Sequence, residues 1–150
     1  MARIHIPVHL RWGDLDAYNH LNNVQSMRIL EEARVRAFWR MDAEPGEVPS
    51  AVLGGLTGDG TQTLIASHHV EYLLPVPYQR EPLEVQLWLS RIGGADVEIG
   101  YEVFCHAGLA FRATTTMVFT DAATGRPLRM DRELRAVLES FAGDAVEFRR

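Results

Sequence analysis

Between Arg11 and Asn23 the chain reads Arg-Trp-Gly-Asp-Leu-Asp-Ala-Tyr-Asn-His-Leu-Asn-Asn, which places two carboxylates, an imidazole and three amides directly before a run with helical periodicity. The first amides of a helix have no partner inside it, and the aligned peptide dipoles make that end positive, so it is suited to hold an oxyanion. A carboxylate beside such an end can attack an acyl carbon or activate water, while the amides take up the charge that develops on the carbonyl oxygen. Asp14 and Asp16 are two residues apart, so in extended backbone their side chains point to opposite sides and only one faces a substrate. The plainer reading of either is a turn carboxylate bonded to its own backbone. His20 can orient the loop, contact substrate or assist proton transfer; the plainer reading is a ring bonded to a nearby carbonyl.

These residues need elements to hold them. Ile4, Ile6, Val8 and Leu10 alternate with other residues and predict a first strand ending near Trp12. From Asn22 or Asn23 to about Met41, Val24, Met27, Leu30, Ala33 or Arg34, Ala37, Phe38 and Met41 recur at helical spacing, with Asn22 as the natural N-cap and Pro45-Gly46 as the stop. Asp42 to Gly60 holds two prolines and five glycines and predicts a long irregular connection, either a border of an acyl pocket or a plain surface loop. Strands are then expected over Thr61 to Leu74 and around Leu83, Val85, Leu87 and Leu89. Others follow around Val97 to Cys105 and Leu109 to Phe119, with a hairpin turn at Gly93-Gly94. Thr124-Gly125 and Pro127 turn the chain, and Asp131 starts a short C-terminal helix. The order strand, long helix, four strands, short helix describes an α+β domain in which an apolar sheet face and an amphipathic helix cover each other.

Composition narrows the function. A chain of 150 residues suits a single domain spanning 1–150. A net charge of −5 with scattered arginines offers no basic stripe for nucleic acid. Cys105 is the single cysteine, which excludes an intrachain disulfide or a cysteine metal cluster and suits a reducing compartment, so a cytoplasmic location is expected. The first ten residues lack a signal-peptide apolar run, and no stretch suggests a membrane span. His5 and His9 would lie about 13 Å apart on a strand, and His68 and His69 face opposite ways, so neither pair predicts a metal site. Cys105 reads as a small core residue. No Gly-x-Ser-x-Gly elbow or phosphate-cradling glycine loop is present.

The run Arg-x-x-Asp-x-Asp-x-x-(Gly/Asn)-His-x-Asn-Asn, followed by Glu31-Glu32-Ala33-Arg34, resembles the 4-hydroxybenzoyl-CoA thioesterase-like branch of the hot-dog fold. Val70-Glu-Tyr-Leu-Leu-Pro75, Glu81-Pro-Leu-Glu-Val85 and Val118-Phe-Thr-Asp-Ala-Ala-Thr-Gly-Arg-Pro127 resemble that family's later segments in order and kind. The resemblance implies a curved antiparallel sheet around one long helix, hydrolysis of acyl-CoA thioesters without metal or organic cofactor, and a homodimer or homotetramer with acyl sites between subunits. It implies that Asp16 is the nucleophile or general base and that the backbone N–H of Asn23 polarises the carbonyl, with Asp14 structural. Tyr18, Asn19, His20 and Asn22 are the candidate substrate contacts. Asn19 stands where the family most often has glycine; asparagine reaches the left-handed region readily enough to keep the turn. Glu32 and Arg34 are expected in intersubunit or surface ion pairs, Arg80, Arg91 and Arg112 are candidates for coenzyme A phosphates, and Phe38, Trp39 and Trp88 are candidates for shaping the pocket. Two rivals remain. One is an enoyl-thioester hydratase, poorly matched because no proline stands between Asn19 and His20. The other is a module that binds acyl thioesters without cleaving them.

Overall fold

The computed structural model describes residues 3–39 and 61–149. Five antiparallel strands, β1 (Ile4–Val8), β2 (Thr61–Tyr72), β3 (Leu83–Ile92), β4 (Asp96–Cys105) and β5 (Gly108–Asp121), form one sheet in the order β1-β3-β4-β5-β2. Helix α1 (Asn23–Phe38) covers one face, and the short helix α2 (Arg132–Glu139) follows the sheet. This is the expected α+β hot-dog architecture, with the elements in the expected order. Because side chains alternate along a strand, each register row puts one residue per strand on the inner face. One such row runs Ile4, Leu87, Tyr101, Ala113 and Val70 across all five strands.

Helix α1 turns Ile29, Leu30, Ala33, Ala37 and Phe38 toward this face, and all five are buried. Burial of side chains such as Ile29, Leu30 and Phe38 is worth about 1.5–3 kcal/mol each. The helix packs mainly against β1 and β3 rather than over the middle of the sheet. The half formed by β5 and β2 is therefore less covered on its inner face by the described residues, and Ile65 and Tyr72 of β2 remain exposed there, while Leu64 is exposed on the outer face. Strand β2 pairs with β5 alone, so its other edge is unpaired among the described residues.

Several boundaries differ from expectation. The first strand ends at Val8, and Trp12–Asp14 form a 3-10 turn, because the Asp14 carboxylate captures the Arg11 amide at 2.7 Å and bends the chain out of the sheet. Helix α1 ends at Phe38 with Trp39 as its C-cap; Met41 and the predicted connection over 42–60 lie outside the described residues. Strand β2 stops at Tyr72 because the Leu73 and Leu74 amides both donate to the Ala110 carbonyl, at 2.8 and 3.0 Å, ahead of Pro75. The Gly93-Gly94 turn forms, with the Gly93 amide on the Asp96 carbonyl at 2.8 Å. Asp131 caps α2 by accepting from the Leu134 amide at 2.7 Å. Cys105 is half-buried against the edge of the core.

The tail beyond α2 crosses the outer face of the sheet. The Trp88 indole donates to the Asp144 carbonyl at 2.7 Å, Arg112 donates to the Glu147 carbonyl, and Phe148 stacks on His69 with ring centroids 3.8 Å apart. Trp88 thus sits on the outer face, buried by the tail and by Arg3, whose guanidinium lies 4.0 Å from the ring centroid. A Cβ added to Gly100 would lie 2.8 Å from Trp88 Cε2 and 2.9 Å from Val146 Cγ2. Gly100→Ala is therefore expected to destabilise the protein by about 1–3 kcal/mol through overpacking. The midpoint of urea unfolding measures this, and an unchanged midpoint would show that the tail does not pack on this face.

Candidate active site

The loop between β1 and α1 is organised by its two aspartates, which point to opposite sides. Asp14 is fully buried. Its Oδ1 accepts from Arg11 Nε at 3.1 Å and Nη2 at 2.9 Å, its Oδ2 accepts from the Arg11 amide and from Arg28 Nη2 at 2.6 Å, and its carbonyl accepts the Asn22 amide at 2.9 Å. Burial pushes the Asp14 carboxyl up. The bonds from the Arg11 amide and guanidinium and from Arg28, with the Arg28 charge, outweigh it and hold the group below its ordinary 3.8.

Asp16 is half-buried and lies on the other side. Its Oδ1 accepts the Tyr18 amide at 2.8 Å and the His20 amide at 3.4 Å, and its own amide donates to the His20 carbonyl at 2.9 Å. One oxygen thus closes a tight turn, as the turn-carboxylate reading expects, and Oδ2 carries no hydrogen bond among the described residues. Asn19 sits at φ 62°, the left-handed conformation that the turn requires and that asparagine tolerates. The turn survives the replacement of glycine.

Asn22 caps α1 by accepting from the Val24 amide at 2.9 Å. The amide of Asn23, in the first turn, has no hydrogen-bond partner among the described residues. Asn23 lines a cavity of about 370 Å³, with Asp16, His20 and Leu21 on the loop side and Tyr72, Leu74, Val76 and Phe111 among others opposite. The cavity thus brings together a carboxylate, an imidazole and an unpaired helix-start amide against an apolar wall. An acyl group can lie on that wall with its carbonyl oxygen toward the amide.

Of the predicted site residues, Asp16, His20 and Asn23 reach this cavity. Tyr18 is 81% exposed, Asn19 shapes the turn, and Asn22 is committed to its cap. Tyr72 is a site residue that sequence reasoning misses: its hydroxyl lies 2.8 Å from Ser26 Oγ and donates to the Asn23 carbonyl at 3.3 Å, tying β2 to the start of α1. Its place in the run Val70-Glu-Tyr-Leu-Leu-Pro75 is the only available signal, since nothing in the spacing shows that the strand ends beside the helix. The arginines expected at phosphates are engaged elsewhere in two cases: Arg91 forms an ion pair with Asp96 at 2.9 Å, and Arg112 lies 3.4 Å from Glu71. Arg80 is exposed. Phe38 is in the core, Trp88 is on the outer face, and neither they nor Trp39 line this cavity. Arg34 is buried rather than on the surface, contrary to expectation, because it turns toward the sheet and meets the Tyr101 hydroxyl; Glu32 is exposed. Among the described residues no group of three or more His, Cys, Asp or Glu is placed to hold a metal ion, and no helix is long and apolar enough to cross a membrane.

The model of the thioesterase-like superfamily matches residues 10–138, which include the aspartate loop, α1 and the whole sheet beyond β1. The chain belongs to the thioesterase-like superfamily. A search of curated protein sequences gives no match. Several solved structures share the fold of this superfamily member. YbaW of Escherichia coli, described as a probable thioesterase, is 22% identical with a TM-score of 0.75, covering 92% of this chain and 98% of its own. The DHNA-CoA thioesterase of Staphylococcus aureus is 18% identical with a TM-score of 0.75, covering 93% of each chain. A thioesterase from Thermus thermophilus complexed with coenzyme A and Zn is 22% identical with a TM-score of 0.71, covering 92% of each chain.

The Asp14 cluster gives a pH-dependent prediction. A carboxyl held below its ordinary value contributes stability that is present in full above that value and is lost as pH falls through the lower folded-state value. Arg28→Met removes one of the charged bonds, so it is expected to cost about 1.5–3 kcal/mol at pH 7. The difference from wild type should shrink once the pH drops below the ordinary 3.8. Urea unfolding of both proteins across the acid range measures it; a difference constant with pH would assign the loss to packing instead.

Proposed function

We propose that this protein hydrolyses acyl-CoA thioesters to a free acid and coenzyme A. The observation that carries the reading is the unpaired Asn23 amide on the same cavity wall as the Asp16 carboxylate. The free Oδ2 of Asp16 attacks the thioester carbonyl or draws a proton from an attacking water, and the amide at the start of α1 stabilises the oxyanion as it forms. Attack on the carbonyl carbon breaks the C–S bond and releases the thiolate, which takes up a proton; if Asp16 attacks directly, water then hydrolyses the mixed anhydride. His20 borders the site and is placed to contact the thioester. Tyr18, Asn19 and Asn22 act through the turn and the cap that set Asp16 and Asn23 in position. The coenzyme A complex of the Thermus thermophilus relative supports the choice of thiol carrier.

The working unit in this reading is a homodimer. A twelve-residue strand with one edge unpaired among the described residues is a template for a further strand, and joining β2 to the β2 of a second copy would pair that edge. The tail across the outer face supports a dimer over a tetramer built on that face. A reducing compartment such as the cytoplasm suits the single free cysteine.

Free-thiol release from short, long and aromatic acyl-CoA substrates tests the reading. Asp16→Asn is expected to lower kcat at least about 100-fold. The mutant should stay folded, because the amide oxygen can still accept the Tyr18 and His20 amides. Asn23→Ala should retain most activity, since the backbone supplies the amide. Thiol release unchanged in Asp16→Asn would remove the carboxylate from the mechanism; ligand binding without release by wild type would establish a binding module.

A further inference from the structure

Arg34 is a buried cation that the proposed chemistry does not use. It lies on the inward side of α1 and is 6% exposed. Its Nη1 donates to the Tyr101 hydroxyl at 3.2 Å, Tyr101 donates to Thr115 Oγ1 at 2.9 Å, and Thr115 lies 2.8 Å from His68 Nδ1. With the Tyr101 proton directed at Thr115, the Thr115 hydroxyl links Tyr101 to the His68 ring. Burial and the nearby Arg34 charge push His68 below its ordinary value, against the opposing pull of Glu31.

This chain of neutral groups supplies Arg34 with one acceptor and no counter-ion. The Glu31 carboxylate is 3.9 Å from Nη2, beyond hydrogen-bond distance, and its side chain is 68% exposed, so solvent screens the pair. No other acceptor among the described residues bonds Nε or Nη2. Nε and Nη2 are not sealed from solvent, so they stay open to an anion that enters beside α1.

The structure provides space for one. Arg34 opens on a cavity of about 480 Å³ that, among the described residues, is also lined by Glu31, Val35, Trp39, Thr63 and Ile65. This cavity shares no lining residue with the one at Asp16. Arg34 lies eleven residues along α1 from Asn23, about 16 Å at the rise of an α-helix, so a ligand here is separate from a thioester at the helix start. The walls offer an aromatic ring, two aliphatic side chains and one cation with two donor nitrogens open to the cavity.

We propose that this cavity is a second binding site, for a carboxylate carried on an apolar body, with the carboxylate on Arg34 and the body against Trp39, Val35 and Ile65. A guanidinium matches a carboxylate through two parallel hydrogen bonds, while an amide of the same shape offers no charge and one acceptor. Glu31, at the rim, turns to solvent when the anion enters. The site does not depend on the hydrolytic reading, although an acid released by that reaction has the required chemistry.

The test is calorimetric titration of the full chain with octanoate and 2-naphthoate against the corresponding amides. The acids are expected to bind at least tenfold more tightly than the amides. Arg34→Met should abolish that preference, and Ile65→Trp, which fills the cavity from the strand edge, should abolish acid binding. Equal affinity for acid and amide, acid binding that survives Ile65→Trp, or no binding by wild type because a partner chain fills the space would each overturn the proposal. If Arg34→Met does not fold, the Ile65→Trp titration decides. Thiol release is read separately, so a failure here leaves the hydrolytic reading standing and the reverse also holds.

Discussion

The buried carboxylate of Asp14 is the interaction on which the site depends. It receives the Arg11 amide and guanidinium from the end of the first strand and Arg28 from the second turn of α1, and its carbonyl receives the Asn22 amide. One residue thereby clamps the strand exit, the loop and the helix start to each other. A buried charge is tolerated only when paired and hydrogen-bonded, and here the cost of burial is offset by several charged bonds. With Asp14 held inside, Asp16 lies on the opposite side, where its Oδ1 closes the turn and the residue lines the cavity. The alternation of side chains, which makes one aspartate structural, is also what makes the other available.

A second constraint is the position of α1. Because the helix settles over β1 and β3, the inner face beneath β5 and β2 is only partly filled. Both cavities lie there, one at each end of the helix: the first between the helix start and Tyr72, the second between Arg34 and the far part of β2. Strand β2 is therefore both a wall of the two cavities and an unpaired edge. Closing that edge with a second copy would alter the openings of both, so assembly and ligand access are physically linked.

The outer face follows a different logic. Trp88 and Gly100 occupy adjacent strands at paired positions, and the small residue leaves room for the indole and for Val146 of the tail. The tail carries little periodic signal, yet it buries a tryptophan and supplies carbonyl acceptors to Trp88 and Arg112. A sheet face that alternation marks as outward is thus partly interior.

Local periodicity and cap chemistry determined much by themselves. The strand alternation, the N-caps at Asn22 and Asp131, the Gly93-Gly94 turn and the cluster of polar residues before α1 were legible because each depends on residues within a few positions of one another. The left-handed turn at Asn19 belongs with these, since its physics is that of one residue. The tertiary structure decided what depends on distant residues. Whether Asp14 or Asp16 turned inward was settled by Arg28, fourteen residues further along the chain, and the early end of β2 by the carbonyl of Ala110. Helical spacing puts either Ala33 or Arg34 on the inward face, and the charge of Arg34 predicts an intersubunit or surface ion pair. Arg34 is buried because Tyr101, sixty-seven residues away, presents a hydroxyl at that turn of the helix. Sequence specifies the groups and their local geometry; only packing between remote segments sets the burial and the partners that make one carboxylate a clamp, another a candidate catalyst and an arginine a buried cation.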